Sequence, residues 1–339
     1  MLTRSFIAVL LLTFVLSLSP RIFSQQTDRD LYLGLYRQGQ YGKAIIVLKR
    51  LTKENSSDGD ALYYLGLSYL KVDQERDAVK VLAKAVNKKP DDALIRSALA
   101  YAYVLRNDEE HASNEAHEAL RLDPKVTGAH YVLSVIGLRN RVYNTAYDEA
   151  KRTIELEPNF VAAYLVKSQA LVSSFAQQAG TIIRPVNSRG EFLEEAVSDL
   201  QKYLSLAPKS SSTPYYEHYL DSIKFFADYY ALPENQKTTL TGGASQPDGR
   251  TVTPLKILSK PKPAYTDRAR DADVNGVVRL LVGLSADGTT KHILVLTSLG
   301  YGLDESAVAA ARQITYQPRT VDGKPVSSVA TFEYSFQTH

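Results

Sequence analysis

Residues 59–92 read GDALYYLGLSYLKVDQERDAVKVLAKAVNKKPDD, and their spacing decides the fold. Apolar Leu62, Leu65 and Tyr69, then Val79, Leu82 and Val86, fall at the three-to-four-residue period of a helix face turned to a core. The polar stretch KVDQER separates the two patterns, so two amphipathic helices are joined by a short loop. Pro90 ends the second, because it lacks the N–H that a helix interior needs. Gly66, Ala78 and Ala85 are small where two helices must touch closely.

The unit recurs. Pro90, Pro124 and Pro158 stand 34 residues apart, as do Ala78, Ala112 and Ala146, and Leu65, Leu99 and Leu133. One helical hairpin cannot bury its own apolar face, so such units stack. The pattern resembles the tetratricopeptide repeat, with Gly66 and Tyr69 on the first helix, Ala78 and Ala85 on the second, and closing Pro90. The copy at 93–126 supplies Ala100, Tyr103, Ala112, Ala119 and Pro124. The copy at 127–160 departs, with Gly137 and Thr153 where Tyr and the second Ala belong. An earlier copy shows in Gly39, Tyr41 and Ala44. A fifth closes at Pro208 and carries 16 extra residues, placed at 173–188 between its two helices. Residues 213–232, TPYYEHYLDSIKFFADYYAL, have Tyr215, Tyr219, Ile223, Phe226 and Tyr230 at helical spacing and are expected to cap the array.

The ends differ in kind. Arg4 precedes FIAVLLLTFVLSLS, an apolar run of about 14, the length of a signal-peptide core and short for a bilayer span. Residues 1–24 are therefore read as a signal peptide cleaved after Ser24, with an uncleaved N-terminal anchor as the alternative; either places the body outside the cytoplasm. Residues 233–253 are polar and glycine-containing and read as a flexible linker. Residues 254–339 read as a small α+β domain. GVVRLLVGLS alternates with Val278, Leu280, Val282 and Leu284 on one face, Asp287-Gly288 marks a hairpin, and LDESAVAAARQI is a helix. A turn at 321–324 leads into an alternating strand from Val326 to Gln337.

The ordered landmarks Pro263, Tyr265, Ala269, Arg270, Gly276, Val278, Asp287, Gly288, Ser298, Gly300, Leu303, Asp304, Pro318 and Asp322 to Val326 resemble the C-terminal domain of the TonB energy-transducer family. The family usually has Tyr-Pro where this chain has Tyr265-Thr266. Its classical members carry a membrane anchor and a Pro-rich spacer where this chain has a leader and repeats. The fold expected is thus multidomain: an all-α tetratricopeptide-repeat superhelix at 28–232, then a small α+β TonB-like domain.

Composition narrows the function. With 40 basic against 37 acidic residues, the net charge of +3 gives no reason to expect nucleic acid, which needs a strongly basic face. No cysteine is present, which removes disulfides, thiolate metal sites and a cysteine nucleophile. Of the histidines, His111 and His117 are six apart and do not share a helix face; His218 is read as packing at the edge of the tyrosine stripe and His292 as solvated. Acidic pairs such as Glu194-Glu195 are read as solvated charges. Asp304 is the best site candidate by resemblance, but is read as a helix N-cap. No catalytic constellation emerges, so no enzyme activity, cofactor, metal or small-molecule substrate is expected.

Two binding surfaces are expected. The repeat register places Tyr63, Leu67, Leu70, Lys71, Tyr101, Val104, Tyr131, Val135, Leu138 and Arg139 along a groove that, by resemblance, takes peptides; packing between hairpins is the alternative for each. In the resembled family the last strand accepts an extended peptide as an added strand, with main-chain hydrogen bonds supplying affinity. The matching positions are Val326, Val329, Thr331 and Glu333. The leading function is a periplasmic adaptor whose two sites act as tethered modules, its partners being envelope or outer-membrane proteins. The alternatives are an inner-membrane-anchored energy-transducing component of outer-membrane transport, and a scaffold that homodimerises through its C-terminal domain.

Overall fold

The computed structural model describes residues 28–179, 187–210, 213–232, 251–271 and 273–337. The expected leader, and the expected linker through residue 250, lie outside the described residues. The chain divides into two compact units, Met1–Ile136 and Gly137–His339. The division falls within a helix and not at the polar stretch 233–253.

Helices α1 (28–37), α2 (Tyr41–Glu54), α3 (Gly59–Leu70), α4 (Glu75–Lys88), α5 (Ala93–Leu105) and α6 (Glu109–Leu122) belong to the first unit, and α7 (Thr127–Arg139) contains the division. Helix α3 packs on α4, and α5 on α6. Leu62, Leu65, Tyr69, Val79, Leu82 and Val86 are all buried in one core, as their spacing requires. Gly66 is small for a reason: a Cβ there would lie 2.4 Å from Leu82 Cγ. Aspartates start three of these helices. Asp58 accepts from the Ala61 N–H at 2.9 Å, Asp92 from Leu94 and Ile95 at 3.0 and 3.2 Å, and Asp108 from His111 at 3.4 Å. Each such cap contributes about 1 kcal/mol. The loops repeat as well: Gly39, Asp73, Asn107 and Arg141, at 34-residue intervals, all have positive φ, of 71°, 56°, 58° and 60°.

In the second unit, α8 (Tyr143–Leu156), α9 (Val161–Ala179), α10 (Asn187–Leu206) and α11 (Thr213–Ala231) pack in sequence. The 16 extra residues are not a plain interhelix insertion. Residues 173–179 extend α9 and 187–188 begin α10, giving helices of 19 and 20 residues against 13 and 14 for α5 and α6. In the added turns of α9, Phe175 and Ala176 are buried, which gives the extension an apolar face of its own.

The strands follow: β1 (Val252–Thr253), β2 (Lys256–Ser259), the short helix α12 (Asp267–Asp271), β3 (Gly276–Leu284), β4 (Thr290–Thr297), α13 (Leu303–Ala311), β5 (Thr315–Gln317), β6 (Arg319–Val321), β7 (Lys324–Val326) and β8 (Ser328–Phe336). The main sheet is antiparallel in the order β4-β3-β8; β1-β6-β7 and β2-β5 form two small sheets. Asp322 and Gly323, at φ 51° and 76°, turn β6 into β7. The long strand expected from Val326 is therefore split, and β8 begins at Ser328.

Val278, Leu280, Val282 and Leu284 pack with α12, α13 and the core-facing residues of β8, as their alternation implies. The opposite face is covered too. Leu281, Leu294 and Val329 enter the core of α9, α10 and α11. Gly283 leaves a notch there, since a Cβ would lie 2.4 Å from Phe225 Cε1 of α11. Repeat helices and C-terminal sheet thus share a core within this unit, in place of the tethered arrangement that a flexible linker would give.

Candidate functional site

Among the described residues β8 pairs with β3 alone, in register from Gly276↔Phe336 to Leu284↔Ser328. The strand alternates as a half-buried strand must: Phe332, Tyr334 and Phe336 are buried, while Thr331, Glu333 and Ser335 are exposed. Its free side is a row of main-chain groups, the type of edge to which another strand adds. One of those groups is engaged: Lys260 Nζ donates to the Glu333 carbonyl at 2.7 Å, and the same ammonium lies 4.7 Å from the Tyr334 ring centroid. The Glu333 carboxylate is held across the ladder by Arg279, at 2.7 Å.

The four expected edge positions therefore have different surroundings. Thr331 and Glu333 are exposed on β8. Val329 is on β8 but buried against the repeat helices. Val326 is on β7, paired with Arg319, because the turn at Asp322-Gly323 sends the chain back along β6 first.

The expected groove positions are similarly mixed. Tyr63, Leu67 and Leu70 are half-buried against the first core, and Lys71 is exposed at the end of α3. Burial pushes the Tyr63 phenol up to about 12. Tyr101 and Tyr131 are half-buried neighbours, their ring centroids 6.0 Å apart, with Val135 on the same core. Val104 is 2% exposed among Ala100, Ala112 and Ala116 and is core. In the second unit Leu138 and Arg139 line a cavity of about 500 Å³ whose other walls come from α8, α9, α11, β4 and α13.

Three sites differ from the sequence reading. Gly302, at φ 82°, is the N-cap of α13, and Asp304 lies in the first turn. Its carboxylate accepts from the Leu299 and Gly300 N–H groups at 2.9 and 3.3 Å and from the Ser298 hydroxyl, tying down the loop before the helix. His292 is not solvated: it stacks on Phe225 at 4.4 Å with 10° between planes, and its Nδ1 is buried with no hydrogen-bond partner among the described residues. Burial pulls its pKa below the usual histidine range, with His218 and Lys291 acting in the same direction and Asp221 against them. Glu195 is likewise not a plain solvated charge. Four-residue spacing puts it beside Asp199 on the α10 face towards α9, where Lys167 Nζ lies 2.7 Å from one and 2.9 Å from the other. Tyr147 also donates to Glu195, at 3.0 Å. A lone Lys167 in a helical pattern did not signal this triad; only the i, i+4 acidic pair hinted at it.

Thr266 stands where the resembled family has Pro. Its hydroxyl donates to the Tyr301 carbonyl at 2.7 Å and accepts from the Ala269 N–H at 3.2 Å, so it starts α12 and anchors the loop that carries Tyr301. Tyr265 donates to the Val274 carbonyl at 2.5 Å. Among the described residues no group of three or more His, Asp or Glu side chains could hold a metal ion, and no helix is long and apolar enough to cross a membrane.

Residues 35–102 match the tetratricopeptide repeat family, and residues 261–338 match the family described as Gram-negative bacterial TonB protein C-terminal. No curated protein matches the chain. Among solved structures it is similar to PilF of Pseudomonas aeruginosa, with 15% identity, 62% of this chain and 90% of that one covered, and a TM-score of 0.47. It is also similar to TTC0263, a thermophilic tetratricopeptide-repeat protein of Thermus thermophilus (21% identity, 59% and 98% covered, TM-score 0.45). A third is YrrB, described as a tetratricopeptide-repeat protein with an unusual peptide-binding site (15% identity, 56% and 89% covered, TM-score 0.38).

Proposed function

We propose that this chain, which carries tetratricopeptide repeats followed by a TonB-type C-terminal domain, is a non-enzymatic adaptor that acts in the periplasm by holding other proteins. The repeats hold one protein partner. The C-terminal domain engages an envelope protein, whose extended segment adds to β8 as a fourth strand of the main sheet. The observation that supports this reading best is the β8 edge, paired on one side only among the described residues over nine residues. Strand addition there displaces Lys260 from the Glu333 carbonyl and leaves the Arg279 pair on the face of the sheet intact.

The absence of cysteine makes the test clean. Full-length protein with Thr331→Cys carries a photoreactive label at the edge, and Lys80→Cys carries it on the exposed face of repeat helix α4. In Gram-negative envelope extract the edge label is expected to cross-link an envelope protein that the α4 label does not. Added to the unlabelled chain, that protein should slow hydrogen exchange of the β8 amides. Equal cross-linking from both positions, or unchanged exchange in β8, would refute strand addition.

A further inference from the structure

We infer that the cavity of about 500 Å³ in the second unit is a binding site for a small organic anion, gripped by Arg141 and Arg312, with Arg139 also in its wall. This goes beyond the adaptor reading and does not rest on the β8 edge. The three guanidiniums come from separate parts of the chain: the end of α7, the loop before α8, and the residue after α13. His218 of α11 joins them, and no Asp or Glu is among the described residues that line the cavity. The contacts of Arg141 and Arg312 leave their charge in place. Arg141 Nη2 donates to the Ser298 carbonyl at 3.0 Å, and Arg312 Nη2 lies 3.2 Å from His218 Nε2. Neither partner is a carboxylate, and a guanidinium has five N–H donors, so each arginine retains donors and its positive charge. Glu305 acts electrostatically on Tyr215 at the rim but is not part of the wall.

Like charges gathered in one hollow repel one another, and an anion relieves that repulsion. The planar fork of arginine fits the two oxygens of a carboxylate or a phosphate. Other lining side chains are of another kind: Ile293, Val295 and Val308 are apolar, and Tyr215 and Tyr219 lie with their rings 8° from parallel. Burial raises the Tyr219 phenol above its ordinary value, so it remains a neutral donor. Guanidiniums together with apolar and aromatic lining suit an oxyanion carried on a flat or aliphatic body. The volume is within the range of small-molecule sites. Because both repeat helices and C-terminal elements form its walls, an occupant holds the two together and stabilises the unit by mass action.

The test uses the full chain with phthalate and phenyl phosphate as probes, benzamide as the uncharged control, read by titration calorimetry and thermal unfolding. At least one aryl anion is expected to bind saturably and raise the unfolding temperature. Which one does so decides between a carboxylate and a phosphate ligand. Binding should weaken with added salt and fall about tenfold or more in Arg141→Gln and in Arg312→Gln. Arg312→Lys, which keeps the charge and loses the fork, should fall between. These arginines are exposed, so the variants keep the native unfolding profile without ligand. No binding of either anion at millimolar concentration, equal binding of benzamide, or undiminished affinity in both glutamine variants would overturn the assignment.

Discussion

Replacing Gly283 with alanine tests whether the C-terminal sheet is seated on the repeat helices. The added methyl would lie 2.4 Å from Phe225 Cε1 and 3.0 Å from Cδ1 and Cζ. The ring has little room to retreat. His292 is stacked on it at 4.4 Å, and Phe226 lies edge-on at 5.4 Å. Overpacking of this kind costs about 1–3 kcal/mol. Alanine recovers part of that, because glycine in a strand interior is itself unfavourable by roughly 0.5–1 kcal/mol. The net expectation is a loss of up to about 2.5 kcal/mol, or as much as a few degrees in the unfolding midpoint of a unit of this size. Urea unfolding of the full chain followed by far-UV dichroism measures it, and limited proteolysis locates it. The decisive arm is a double-mutant cycle. Phe225→Leu removes the ring atoms that collide, so Gly283→Ala should cost less, or even stabilise, in that background, with a coupling of about 0.5–2 kcal/mol. Strictly additive effects in the cycle would mean that the sheet does not rest on α11 through this notch.

Two further outcomes follow from the same unit. Burial pulls the His292 pKa down in the folded state, with His218 and Lys291 acting in the same direction and Asp221 opposing them, whereas the unfolded chain takes up a proton near pH 6.5. Its contribution to stability is therefore complete above about pH 6.5, is lost as pH falls through the window below, and levels off under the folded-state value. Unfolding free energies at about pH 7.5 and about pH 5 should differ less in His292→Phe than in the parent chain. Lys167→Met strands Asp199, whose side chain is 9% exposed and whose pKa burial already holds above the ordinary carboxylate range. Breaking such a pair costs about 3 kcal/mol at neutral pH, towards the lower end because Glu195 is 40% exposed. The deficit should shrink at acid pH, where Asp199 takes up a proton; a deficit independent of pH would exclude a buried charge as its cause.

The repeat was legible because its physics is local. A face at helical period, a small residue opposite Leu82, an aspartate before each of three helices and a closing proline all act within one 34-residue unit. The left-handed loop positions obeyed the same period although only Gly39 advertises it. The alternation of β3 and β8 and the Asp287-Gly288 turn were legible for the same reason, since strand faces and turn chemistry are set by near neighbours. What touches Leu281, Gly283, His292 or Val329 is set by α9, α10 and α11, tens of residues or more away, and no pattern along the chain encodes it. Lys167 looked like any charged helix residue until α10 brought Glu195 and Asp199 to it. Periodicity and turn chemistry thus determined by themselves that stacked helical hairpins precede a small sheet with β8 last in order. Tertiary packing alone decided which faces of that sheet are covered and where three arginines converge, because burial and charge clustering depend on which distant segments meet in space.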